Sequence, residues 1–350
     1  VIAALGLLAY ALALSIAAPQ VLCGARWADR APRVAVAAWQ GVTLSVVLAV
    51  VFGAVALTVP TMRVSGNLAA VMQECVLALR DRYASPGGAT LAATGAVLAL
   101  GVLARVAWCV AAALTRALRA RRRIRELLRF TGRTDRAHGV VVVDHDIPAA
   151  YCVPGLRHRV VLTTGAVAAL EPRQLRAVIA HERAHLWGRH DLVIAGALAL
   201  TAAFPRIRVF RAAQEEIVRL VELLADDAAT RRTDRLTVAE ALLALAGGSP
   251  AGALAAGGGS AAAARVRRLI AGHRPVARAR RVLGSLAIAG LLTVPVLLLA
   301  APAAMALGSH YCPKTSAVVI SADCPVADCG SVHHSTRRDD LPSRTIRDSS

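Results

Sequence analysis

His181 and His185 stand four residues apart in the run His181-Glu182-Arg183-Ala184-His185. On a helix, side chains at i and i+4 sit one above the other on the same face. Two imidazoles so placed can share one metal ion, and Glu182 beside them can work on a water held there. The residues just before, Leu175 to Ala180 (LRAVIA), supply the apolar helical context that this chemistry needs. The plainer reading is two surface histidines next to a charge; the helical context favours the metal.

A tetrahedral zinc site with an open place for water needs a third protein ligand. Glu222, in Glu222-Leu223-Leu224-Ala225-Asp226, is one candidate. Asp226 lies on the same helix face and can accept the outer N–H of a ligating histidine, which would fix its tautomer. Asp191 is the rival, because HERAHLWGRHD places a glycine and then Asp191 in a metzincin-like spacing. The apolar helical run after Asp191 makes the required return loop less natural. Glu215 and Glu216 show that the Glu222 segment is acidic anyway. Both third ligands stay open on spacing alone.

The elements that must position these residues are unusual. The chain has 350 residues, 56% apolar but only 3% aromatic. Such an Ala, Leu and Val mass suits lipid-facing helices. Four runs are long enough to cross a bilayer, about 1–22, 35–60, 89–113 and 282–306. The first has no charged start and is long for a cleaved signal peptide, so it is expected to span. Arg105 interrupts the third run and should either snorkel or face a helix partner. Pro295 and Pro302 in the fourth are tolerable where neighbours satisfy the freed carbonyls. A fifth run, 192–204, is short and reads as a buried or interfacial helix of the soluble part.

Net charge is +19, from 41 basic and 22 acidic residues, and Lys314 is the only lysine. The Arg and Ala bias suits a GC-rich bacterial genome. Basic residues cluster beside apolar runs with no aromatic interleaving, which favours a membrane surface over nucleic acid. Residues 116–136 hold nine arginines and 265–281 hold seven. Basic flanks mark the cytoplasmic side. The expected arrangement is therefore three spans in residues 1–115, a cytoplasmic domain over 116–281, a fourth span over 282–306, and a short disordered tail over 307–350. The N-terminus, the 61–88 loop and the tail then lie outside the cell membrane. Among seven cysteines, Cys75, Cys312, Cys324 and Cys329 would face outward, with pairing or free thiols both open.

Within the middle domain, 139–144 (GVVVVD) and 159–163 (RVVLT) read as strands. Glu171-Pro172 opens the helix that carries the histidines, and a second helix covers about 207–231. Residues 246–264 read as a flexible loop. The strand near Val160 to Leu162 is the expected edge for pairing with an extended substrate. The fold class expected is a mainly α membrane protein with an α+β zinc protease domain of gluzincin type between spans three and four.

On HERAHLWGRHD, the ELLADDAA segment, the flanking spans and RVRRLI before the last span, the chain resembles the membrane metallopeptidases of the penicillin-sensing receptor type, the BlaR/MecR family. The resemblance covers most of residues 1–306. It implies one Zn2+ held by His181, His185 and Glu222, Glu182 as base and Asp226 as support. The family's outward penicillin-binding domain follows the last span; only about 44 residues stand there in this chain.

The function expected is that of a membrane zinc metalloendopeptidase with a regulatory or signalling role. Its partners would be the bilayer and a cytoplasmic protein substrate such as a winged-helix repressor, with no direct nucleic-acid contact. Two alternatives stand beside it: a quality-control protease of the HtpX type, and a non-enzymatic receptor or scaffold. Glu182 argues against the last, since a purely structural metal site has no need of it. The stimulus, the cleavage site and the oligomeric state have no signature in the sequence.

Overall fold

The computed structural model describes residues 2–58, 80, 84, 87–155, 159–247, 259–272 and 277–308. The four expected outward cysteines, most of the 61–88 loop, the middle of the 246–264 loop and nearly all of the tail lie outside these residues.

Among the described residues, four helices are long and apolar enough to cross a membrane. They are α1 (Ile2–Leu22), α3 (Pro32–Thr58), α4 (Gly88–Thr131) and the Val282–Ala300 part of α11 (Arg278–Gly308). These helices mark the chain as membrane-embedded. A short helix α2 (Arg26–Arg30) turns the chain between α1 and α3. The third apolar run gives way to the arginine-rich stretch without a break in the helix. Its helix continues to Thr131, because the arginine-rich stretch from Arg116 onward is also good helix-forming sequence without Gly or Pro.

Pro295 is fully buried where α11 meets α1 and α3. It lacks the N–H that would bond the carbonyl of Leu291. That oxygen instead accepts from the Tyr10 hydroxyl at 3.0 Å and from Ser45 Oγ at 2.8 Å. Three helices are thus joined through one freed carbonyl. Close approach does the rest. A Cβ on Gly95 of α4 would stand 2.5 Å from the Ala54 carbonyl of α3, so only glycine admits this crossing.

The segment after α4 forms a four-stranded sheet of order β1-β2-β4-β3. The strands are β1 (Gly132–Asp135), β2 (Val140–Val143), β3 (Ala150–Val153) and β4 (Arg159–Thr163). Only β2 and β4 were legible beforehand. The β2–β4 pair is parallel and the other two are antiparallel. Alternation sets the packing: Val160 and Leu162 face the helix that carries the histidines, while Val161 faces Leu128 of α4. β4 is paired on both sides. The expectation that Val160 to Leu162 offers a free edge is therefore corrected: the edge next to the histidine helix is β3.

Helix α5 (Thr164–Ala169) follows the sheet, then α6 (Pro172–Trp187). Pro172 sits at the first turn of α6, and the Glu171 N–H donates to Gln174 Oε1 at 3.0 Å. Helices α7 (His190–Ala203) and α8 (Arg208–Ala229) form a hairpin. Phe204 and Phe210 stack at its turn with ring centroids 4.9 Å apart. The short apolar run was expected in the soluble part. Instead α7 packs on α4, and α8 buries Phe210, Ile217 and Leu220 with Trp39, Val42 and Val46 of α3. Its Ala-rich face had no polar surface to present to water, so it joins the core of the spans. Arg105 faces a partner: its Nε donates to the Ala203 carbonyl at the end of α7. Helices α9 (Arg235–Gly247) and α10 (Gly259–Ala271) then pack on each other, and α9 also packs on α6. The loop expected over 246–264 is helical at both described ends.

Candidate active site

α6 carries His181, Glu182 and His185; α8 carries Glu222 and Asp226. Their i,i+4 spacings turn each pair onto one face, and the two helices pack face to face. One ligand atom each from His181, His185 and Glu222 lies within 4.8 Å of the others. The two Nε2 atoms are 3.1 Å apart. Glu222 Oε2 is 3.5 Å from His181 Nε2, and Glu222 Oε1 is 3.5 Å from His185 Nε2. Zinc bonds of about 2.0–2.1 Å at tetrahedral angles require donors about 3.3 Å apart. The three donors therefore fit a zinc ion.

The outer nitrogens fit as well. His181 Nδ1 lies 3.1 Å from Asp226 Oδ1. That approach is off the line of a straight hydrogen bond, so this buried nitrogen has no aligned partner. A metal at Nε2 would fix the tautomer whose Nδ1–H serves Asp226. His185 Nδ1 lies 3.1 Å from His190 Nδ1, ring set across ring. His190 is nearly fully buried. Gly188 makes room for it, since a Cβ there would stand 2.3 Å from His190 Nε2.

Asp226 is fully buried and gripped by Arg265 of α10, whose Nε and Nη2 donate to its two oxygens at 2.8 and 2.6 Å. Arg265 Nη1 also stands 3.0 Å from Glu222 Oε2. Burial would raise the Asp226 carboxyl, but the hydrogen bonds from Arg265 and the close approach of His181 win and hold it down to about 2. Burial likewise opposes a charge on His181, yet the Asp226 and Glu222 carboxylates beside it lift it to about 9. His185 goes the other way: burial lowers it and outweighs the pull of Glu222, and charged His181 beside it pushes the same way as burial. Two cations cannot share a 3.1 Å contact, so His181 keeps the proton. Glu182 is pushed up by burial, and it faces the Cys152 thiol on the edge strand. Burial and that carboxylate push Cys152 up to about 12, leaving a neutral thiol.

Asp191, the rival ligand, is not brought to the group; it pairs with Arg121 of α4. Two residues of the site went unrecognised in the sequence. His190 has no signal of its own in the sequence beyond standing next to Asp191 in HERAHLWGRHD. Arg265 stood in RVRRLI among seven clustered arginines, and only its place three residues before Arg268, which bonds Asp227, could have singled it out.

Residues 114–273 match peptidase family M48. The match supports a metallopeptidase of that family, and the matched M48 segment spans α6, α8 and α10, the helices of the site. It covers less than half of the chain and lies between the third apolar run and the last. It names a peptidase family, not the penicillin-sensing receptor type. No curated protein and no solved structure matches the chain.

Proposed function

We propose that this protein is a membrane-embedded zinc metalloendopeptidase that cleaves a protein substrate on the cytoplasmic side as a regulatory step. One observation carries the reading: three donors on α6 and α8 at zinc spacing, with Glu182 beside them. His181, His185 and Glu222 would hold the ion, which when bound polarises a carbonyl and acidifies water. Glu182, raised by burial, is suited to take a proton from water and return it to the leaving amine. Asp226 and His190 orient the two imidazoles, and Arg265 holds Asp226 and Glu222 in place. Edge strand β3 runs beside α6 and offers main-chain groups to an extended peptide. A cavity of about 180 Å³ opens beside Glu182, walled by Val178, Val238, Ala241 and Leu245 with Arg265. It suits a medium apolar side chain next to the scissile bond.

The cytoplasmic side is proposed from the arginines that flank the domain. A repressor as substrate, and the receptor type, rest on the resemblance in the ELLADDAA and RVRRLI segments. A housekeeping role as an HtpX-type protease shares the same site and differs only in substrate.

Metal analysis of the detergent-purified chain tests the reading. The wild type should hold about one zinc, Glu222→Ala should lose it, and Asp191→Ala should keep it. Zinc lost with Asp191→Ala and kept with Glu222→Ala would sink the assignment.

A further inference from the structure

Helix α10 stands between the metal donors and the turn that joins the first two apolar helices. Val266 and Leu269 bury it against Ala177 of α6, Ala229 of α8 and Val238 of α9. Arg265 and Arg268 are three residues apart, so both leave α10 on one side. They meet adjacent carboxylates of α8. Arg265 grips Asp226. Arg268 donates from Nη1 to Asp227 Oδ1 at 2.8 Å and from Nη2 to Asp227 Oδ2 at 3.2 Å. Its Nε and Nη2 also donate to the Asp29 carbonyl of α2, at 3.1 and 2.7 Å. That oxygen lies in the last turn of α2, where helix carbonyls lack partners of their own. The Asp29 carboxylate is taken by Arg219 of α8.

The Arg268 side chain is only 9% exposed, and all three of its nitrogens are engaged. A planar guanidinium fork holds its partners at set distances and angles. A shift of α2 therefore moves Arg268, and with it the turn of α10 that carries Arg265. Arg265 Nη1 stands 3.0 Å from Glu222 Oε2. Among the described residues no other arginine or lysine pairs with Glu222 or Asp226. Nothing else on the page can replace Arg265 if α10 slips.

We propose that Arg268 is a positioning residue that makes zinc affinity depend on where the α2 turn sits. By clamping α2 to α8 it fixes the register of α10, and Arg265 thereby holds Glu222 and Asp226 in ligating geometry. The proposal rests on zinc binding at His181, His185 and Glu222. It adds to that reading a route by which the first two apolar helices adjust the metal site without touching it.

Zinc affinity of the full detergent-purified chain, measured by chelator competition, tests it. Arg268→Gln should weaken zinc binding about tenfold, the lower end for lost outer partners of a metal ligand. The direction is diagnostic, because removing a nearby cation would by charge alone tighten the hold on Zn2+. Arg268→Lys keeps the charge without the planar fork and should fall between. In an Arg265→Gln background Arg268→Gln should have no further effect, since the one residue acts through the other. Ala28→Leu adds bulk beneath α2, where Ala28 is buried, and alters no charge. It should weaken zinc binding in the wild type and not in Arg268→Gln. Where Arg268→Gln does not fold, Arg268→Lys takes its place in both comparisons, with a reduced effect expected. Thermal unfolding of the zinc-free variants is followed alongside. Lowered melting with unchanged zinc affinity overturns the proposal. So do additive losses from Arg265→Gln and Arg268→Gln, or equal losses from Ala28→Leu in both backgrounds. No zinc in the wild type would instead sink the metal reading itself, and this proposal with it.

Discussion

Glu182 and the donors around it perform separable tasks. In the proposed mechanism the donors set metal occupancy and Glu182 moves protons. Glu182→Gln keeps the shape and removes the base, so it should retain zinc while peptidase activity falls by about 10²–10⁴-fold. Cleavage of an unstructured protein substrate, with metal content measured in parallel, checks this. Activity surviving in Glu182→Gln would favour a metal-dependent scaffold. The protonated His181 makes a second prediction. In the metal-free protein it is held near 9, so zinc must displace its proton over most of the ordinary range. Zinc affinity should therefore rise about tenfold per pH unit from pH 7 to just below pH 9, as that proton becomes easier to remove. Competition titrations with a chelator of known pH behaviour measure the slope. A flat response would mean that His181 is already neutral.

Among the elements, α11 depends on a side-chain repair. Pro295 frees the Leu291 carbonyl, and Tyr10 and Ser45 both donate to it. Either single change, Tyr10→Phe or Ser45→Ala, leaves one donor and should be mild. The double variant leaves a polar oxygen buried among apolar helices and should destabilise the packing by about 1–2 kcal/mol. Thermal unfolding in detergent reads this as a loss larger than the sum of the two singles. Helices α6 and α8 illustrate a different rule. Each turns two chemical residues onto one face by spacing alone, and the site forms only where those faces meet. The sequence showed both pairs at i,i+4. It could not show that β3, whose residues carry no strong strand pattern, would be the edge beside α6. Strand order is a non-local choice, made by the parallel β2–β4 pairing.

At the scale of the whole molecule, the long apolar helices and the segment that matches family M48 share one core. Phe210, Ile217 and Leu220 of α8 pack with Trp39, Val42 and Val46 of α3 and with Leu7 of α1. Arg219 bonds Asp29 of α2 at 2.6 Å, and Arg268 donates to the Asp29 carbonyl. Residues 1–310 accordingly fall in one compact unit. The M48 segment, residues 114–273, should therefore fail to fold as a soluble piece: cut from α1 and α3 it exposes the apolar face of α8 that positions Glu222. Expression of that segment alone should give aggregated, zinc-free protein, and gel filtration with metal analysis shows whether it does. A monomeric, zinc-loaded segment would mean that the shared core is dispensable.

What the sequence determined by itself was local or compositional. Apolar length marked the four long helices, because crossing a bilayer needs a fixed run of residues. The HExxH and ExxAD spacings marked the five residues that α6 and α8 bring together, because helical period alone places i and i+4 on one face. Tertiary structure decided the rest. It separated Glu222 from Asp191, since the choice depends on which helix packs against α6 and on Arg121 being free to take Asp191. It made His190 and Arg265 parts of the site, since their partners are distant or around a corner in the chain. It drew α7 into the apolar core, since a helix of 14 residues is too short to declare its surroundings by length. Pairing across the chain depends on the shape of the whole core, and a linear pattern does not encode it residue by residue.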